Sequence, residues 1–194
     1  MKRLLLIVAL VFLAGWLWSH RERSHPPGVI AEAEPVQSPV DNPSALERNG
    51  YRIKPLHRFD IEARVLSAST YRLDREADLA PVDLALGWGR MSDSAVIDKL
   101  SISQTGRFYF WRTDAFPIPR REIETHSANM HMIPSSASIE SRLKGVSRGQ
   151  IVRISGYLVE ASASDGWKWR SSLTRDDTGQ GACELIWVED LSIR

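Results

Sequence analysis

Hydrophobic and polar positions in this chain follow three patterns, and each predicts a different element. Residues 4–18, LLLIVALVFLAGWLW, form one unbroken apolar run behind Met1-Lys2-Arg3. Residues 20–49 carry five prolines among mostly polar neighbours, too little apolar surface to offset the entropy of ordering. From Tyr51 onward, apolar and charged residues alternate. The stretch Phe59-Asp60-Ile61-Glu62-Ala63-Arg64-Val65 has the two-residue period of a half-buried strand. The chain therefore divides into a signal anchor or transmembrane helix at 1–19, a Pro-rich linker at 20–50 and a β-rich domain at 51–194.

Within the domain, Ser92 to Leu100 reads as a short helix capped by Ser92, with Val96, Ile97 and Leu100 on one face. Arg107-Phe108-Tyr109-Phe110-Trp111 is aromatic and strand-like. Residues 71–90 look irregular, and Glu122 to Ile133 reads as extended up to Pro134. A second short helix spans Ser138 to Lys144, before Gly145. Three strands close the chain: Gln150 to Val159, Trp167 to Leu173 and Cys183 to Val188. Asp165-Gly166 supplies the hairpin turn after the first of them. Such a chain is mainly β, a β-rich α+β fold. It predicts a small barrel or a strongly bent antiparallel sheet, OB-like, with two short helices after an N-terminal transmembrane helix. The OB-like expectation rests on Arg148 to Leu158, where a turn glycine precedes an alternating run and Gly156 permits a sharp bend.

The apolar run decides the expected address. A cleaved signal needs small residues at its exit, and here the exit is Trp16-Leu17-Trp18-Ser19-His20. Retention follows, with the two indoles at the far interface and Lys2 and Arg3 favouring an inside N-terminus. Fifteen helical residues reach about 22 Å, short of the ~30 Å hydrocarbon thickness, so flanking residues complete the span. The expected localisation is the bacterial inner membrane, single-pass, with the C-terminal domain in the periplasm.

Charge narrows the partners. Lys and Arg number 25 against 24 Asp and Glu, a net +1. A near-neutral domain lacks the electrostatic footprint for phosphate backbones, which argues against nucleic acid. Cys183 is the one cysteine, so no disulfide forms within the chain, and burial is its expected state.

Four stretches carry a resemblance: GWGRMSD at 87–93, HSANMHMIP at 126–134, RGQIVRISGYLVEA at 148–161 and WRSSLTRDDTGQGACE at 169–184. Across about residues 84–190 the chain resembles a group of bacterial signal-anchored envelope proteins with no known activity. The resemblance implies a location and no chemistry.

Several groups could carry chemistry. On a regular strand His126 and His131 point to opposite faces, with Asn129 beside His131, so a shared metal would need a bulge. No second cysteine or HExxH helix supports zinc, and no cofactor is expected. Cys183 beside Glu184 becomes a nucleophile only if a histidine approaches it in space. Ser171 or Ser172 with His131 and an aspartate would make a triad, without the G-x-S-x-G turn that usually presents such a serine. The loop Arg175 to Gly181 lacks calcium-loop spacing. The tryptophans serve either the core or an exposed recognition patch. The binding patch expected from these readings is Asn129, His131, Trp169, Arg170, Ser172 and Arg175. The expected function is binding or scaffolding beside an envelope protein partner, with the membrane held through residues 4–18. The alternatives are an envelope hydrolase using Cys183 or a serine with His126 or His131, and a metal or cofactor carrier.

Overall fold

Alternation continues well beyond the window that announces it. In the computed structural model, which describes residues 22–174 and 183–194, Tyr51–Thr70 forms one long strand, β3. The expected anchor at 1–19 and Arg175 with its loop lie outside the described residues. Among the described residues no helix is long and apolar enough to cross a membrane. Among the described residues strand outweighs helix, 46% against 16%, so the fold is mainly β.

The remaining strands are β1 (Val36–Pro39), β2 (Leu46–Arg48), β4 (Val82–Gly87), β5 (Ser101–Thr105), β6 (Phe108–Arg112), β7 (Ser127–Pro134), β8 (Ile151–Ser162), β9 (Lys168–Arg170) and β10 (Glu184–Ile193). The helices are α1 (Arg75–Leu79), α2 (Ser94–Ile97), α3 (Arg120–Thr125) and α4 (Ala137–Lys144). β3 pairs with β8 along its first two thirds and with β4 along its last third. Register shifts at Pro55/His57 and Val65/Ser67 let so long a strand bend between these partners. Pairing then runs β4 to β7, β7 to β10 and β10 to β8, and returns to β3. The β7–β10 pair is parallel, so the sheet is mixed where an antiparallel one was expected. The chain leaves β7 through α4 and β8 before running beside it again, the crossover a parallel pair requires.

One face of this circuit carries the main core. Phe59, Leu84, Met130, Met132, Ile154, Leu158 and Ile186 are fully buried there. Each such side chain stabilises the fold by about 1.5–3 kcal/mol relative to exposure. Helix α4 covers this core with Ile139 and Leu143, one turn apart. Ser136 Oγ accepts the Ile139 N–H at its start, Gly145 ends it, and Arg142 and Lys144 suit the dipole of its last turn. Gly156 lies where β8 is gripped between β3 and β10. A β-carbon there would fall 1.9 Å from the Trp187 carbonyl oxygen, so the close approach requires glycine.

Several local expectations change. The 92–100 helix shortens to α2 after a 3-10 turn at Gly89–Ser92, and Asp93 caps it in place of Ser92. Part of the segment read as extended from Glu122 is α3, so β7 begins only at Ser127. The irregular 71–90 stretch holds α1 and β4, whose six residues are all buried and so show no alternation. β5 and β6 form a separate two-residue hairpin, with Gly106 and Arg107 both at positive φ (55° and 66°).

The Pro-rich stretch is extended, and it lies against the domain. Ser92 Oγ accepts from both Ile30 N and Ala31 N at 3.1 Å, and Gly28 N donates to Asp93 Oδ1 at 2.8 Å. β1 and β2 then pair with β3 along the edge that β4 leaves open. Those N–H and C=O groups would otherwise present a bare sheet edge.

Candidate functional site

Strand register assembles a polar cluster on the outer face of β4 and β7. Asp83 stands opposite His131, and both are buried, 0% and 4% exposed. Glu184 pairs with Met130, so Cys183, one step earlier, lies level with Asn129 and diagonal to His131. Residues 83, 131 and 183 meet only because the parallel β7–β10 pair sits beside β4.

His131 Nδ1 lies 2.9 Å from Asp83 Oδ1, with the N–H off the line to that oxygen, so the contact is electrostatic more than a well-aligned hydrogen bond. Arg107 Nη1 donates to the same oxygen at 3.2 Å. Arg107 also donates to Asp74 Oδ1 at 2.7 Å and to the Ala80 carbonyl, and its guanidinium stacks over Tyr71 at 4.2 Å. The carboxylate is thus held between two cations. Cys183, diagonal to His131 across the β7–β10 pair, lies close enough for its sulfur to act on the ring. Burial alone would lower the imidazole pKa, but Asp83 and the Cys183 sulfur outweigh it and push His131 up to about 9. The ring therefore carries a proton at neutral pH.

Asn129 locks the hairpin arm onto this face. Its Nδ2 donates to the Arg107 carbonyl at 2.9 Å, and its Oδ1 accepts from Gln104 Nε2 at 2.6 Å. Between the arm and the starts of β7 and β10 runs a cleft of about 770 Å³. Trp88, Tyr109 and Trp111 form its apolar walls, with Asn129, Cys183 and Glu184 among its polar lining. Burial pushes the Tyr109 hydroxyl up to about 12, so it stays neutral beside Ser127 Oγ. Cys183 is half-buried and reaches the cleft, less enclosed than its residue type predicts.

The two serines fix the backbone around the thiol. Ser171 Oγ accepts the Leu185 N–H at 3.0 Å, and Ser172 N donates to the Cys183 carbonyl at 3.1 Å. Ser171 Oγ also donates to the Ser172 carbonyl, and Ser172 Oγ bonds the Thr174 backbone. These hydroxyls are used in holding the chain, which argues against a serine nucleophile.

Of the expected patch, Asn129, His131 and Trp169 come together; the Trp169 ring lies 4.8 Å from that of His131. Arg170 points to the other side of β9 and pairs with Glu160 at 2.7 Å. Ser172 borders the cluster, and Arg175 lies outside the described residues. His126 caps α3 at some remove, with Nε2 2.8 Å from Glu34 Oε1 and its ring tilted against Trp88. Trp88 and Trp187 are buried, while Trp111, Trp167 and Trp169 are partly exposed. Among the described residues no three His, Cys, Asp or Glu side chains are arranged to hold a metal ion.

Sequence reasoning missed Asp83 and Arg107. The signal for Asp83 was a single acid inside the apolar run Val82 to Leu86, which a buried strand tolerates only with a partner. Arg107 gave no comparable signal.

No family model, curated protein or solved structure matches the chain.

Proposed function

We propose that this protein is a membrane-tethered binding domain with an OB-like barrel, held outside the cytoplasm, whose ligand occupies the cleft under the β5–β6 arm. The barrel reading is supported by the pairing circuit. In chain order its members are β3, β4, β7, β8 and β10, so the ring runs first, second, third, fifth, fourth and back to first. The third and fifth members are parallel, and a helix separates the third from the fourth. This order is the one expected of a small Greek-key barrel of the OB type, and it supports that reading.

OB-type barrels bind ligands on the face of their second and third strands and at the loops beside it. On this reading those strands are β4 and β7, whose outer face holds the Asp83–His131–Asn129 cluster beside the cleft. The correspondence is one of fold, and function is argued from the site itself. The cleft carries the argument: its volume lies in the range of small-molecule pockets, and it combines aromatic walls with a few convergent polar groups. The near-neutral surface argues against the oligonucleotides many such barrels take. Tethering in a bacterial inner membrane with the domain in the periplasm is supported by the apolar run at 4–18 and its bulky exit. A ligand or an envelope protein partner would be met there.

Ligand-observed NMR with full-length protein in lipid nanodiscs and a library of aromatic fragments tests the site. Saturable binding weakened at least tenfold by Trp111→Ala is expected. Fragments that bind wild type and variant equally would remove the cleft from this reading. Recovery of the intact chain from the soluble cytosolic fraction of its native cell would overturn the tethering.

A further inference from the structure

We propose that the cleft is also a reaction site, in which Cys183 is the nucleophile of an acyl transfer and His131, held by Asp83, moves the proton. The proposal rests on the cleft being the binding site, and it adds the class of substrate: an ester or thioester with an apolar or aromatic acyl group.

Three observations converge. Cys183 is the half-buried group that joins the buried cluster to the cleft. It stands diagonal to His131 across the β7–β10 pair, and that imidazole is itself 4% exposed and backed by a carboxylate 2.9 Å away. Nucleophile, base and orienting acid is the order in which thiol hydrolases arrange these groups, and it is recognised by geometry rather than sequence order. Finally, the backbone that follows Cys183 is fixed by Ser171 and Ser172, which holds the thiol in place without using it.

A purely structural role explains less. Arg107 and His131 together neutralise Asp83, and Arg107 with Asn129 is enough to pin the arm. Neither task needs a sulfur at the cleft side of the ring. Thiol–disulfide exchange is a poorer fit, because the chain has no second cysteine to resolve a mixed disulfide.

The step balances as follows. The ring of His131 already holds the proton of the pair, and the sulfur, as the thiolate beside that imidazolium, adds to the carbonyl carbon. The carbon–oxygen or carbon–sulfur bond to the leaving group breaks, and the imidazolium protonates the departing alkoxide or thiolate. Cys183 then carries a thioester. Water, giving its proton to the now neutral imidazole, adds to that thioester and releases the carboxylic acid, which restores the imidazolium and the thiolate. The walls of Trp88, Tyr109 and Trp111 suit an apolar acyl group. No oxidant, metal or cofactor enters.

Full-length protein in nanodiscs is mixed with p-nitrophenyl butyrate, followed by the p-nitrophenolate burst and by peptide mass spectrometry. The expected result is a stoichiometric burst with butyryl on Cys183, and no burst from Cys183→Ala. Asp83→Asn and His131→Gln should slow acylation about 100-fold. Fluorescence of the folded protein is checked in parallel. Should either variant fail to fold, wild type decides alone: native protein must acylate Cys183 at least tenfold faster than urea-unfolded protein. A native thiol no faster than the unfolded one, or butyryl only on lysines, overturns the proposal. Fragment binding that survives alongside an inert thiol would leave the binding reading standing and remove only the chemistry. An absence of fragment binding would strike at the cleft itself.

Discussion

The two faces of β7 illustrate opposite solutions to burial. Met130 and Met132 face the core and are fully buried among aliphatic neighbours. Asn129 and His131, their immediate neighbours in sequence, face outward and are almost as buried, at 5% and 4%. The core face is stabilised by removing apolar area from water. The outer face gains little that way, and every polar group it buries must find a partner. The outer face therefore depends on a network that crosses from β4 through the arm to β7, and loss of one member strands the rest. β4 repeats the contrast at adjacent positions, with Asp83 outward and Leu84 inward.

The sharpest way to break that contrast is to change those two neighbours separately. Asp83→Asn should destabilise by about 3–5 kcal/mol, because Arg107 and His131 are then left facing each other without a carboxylate. Leu84→Ala should cost about 2–5 kcal/mol, the usual range for a core truncation that leaves a cavity. Urea unfolding separates the mechanisms. Raising pH to deprotonate His131 should recover part of the Asp83→Asn loss and none of the Leu84→Ala loss.

The same network makes wild-type stability depend on pH. The imidazole has an ordinary pKa of 6.5 when unfolded and about 9 when folded, so the folded state holds the proton more tightly. Its contribution is fully present below pH 6.5 and is lost as pH rises through 9. A difference of about 2.5 units at ~1.36 kcal/mol each is roughly 3 kcal/mol. Thermal or urea midpoints should therefore fall between pH 6 and 9.5, and His131→Gln should flatten the profile. Tyr109, pushed up to about 12, acts in the same direction only above its ordinary 10 and stays outside that window. An unchanged midpoint across the range would mean that His131 is not the proton holder described above.

Legibility in the sequence divides along the same line. Half-buried strands announce themselves by alternation, so β3 and β8 were readable, as were the Asp165-Gly166 turn and the capped helix α4. β4 is buried on both faces and carries no period. α3 was hidden because its six residues expose all but Ile123 to some degree and give no apolar stripe. The Pro-rich stretch was read as a linker, because the groups that hold it, Ser92 and the open edge of β3, lie far along the chain. Asn129, His131 and Trp169 could be chosen from composition and spacing. That Asp83, His131 and Cys183 share one spot could not, since register across three strands is a tertiary property.

Smaller effects test how tightly the outer face is built. Ser171→Ala removes the acceptor of the buried Leu185 N–H and should cost about 1–3 kcal/mol. It should also loosen the backbone at Cys183, seen as faster amide exchange at Leu185. If exchange there stays slow, the backbone of β10 is held by its ladder partners alone and Ser171 has no part in positioning the thiol.

β9 offers the finest comparison, since Trp169 and Arg170 were expected to act together and the strand turns them apart. Trp169 packs on His131, whereas the Arg170 side chain is 52% exposed and pairs with Glu160. An exposed cross-strand pair of this kind contributes little, because water screens the charges and two long side chains lose freedom to hold the geometry. Arg170→Ala should therefore shift stability by no more than about 0.5 kcal/mol, and the affinity of cleft-binding fragments should not move. Trp169→Ala, by contrast, should let water screen the imidazole from Asp83 by more than it relieves the burial, lower its pKa toward the ordinary value and shift the fall in stability to lower pH. If Arg170→Ala instead weakens fragment binding, the ligand must extend around the edge of β9, and the site is larger than the cleft.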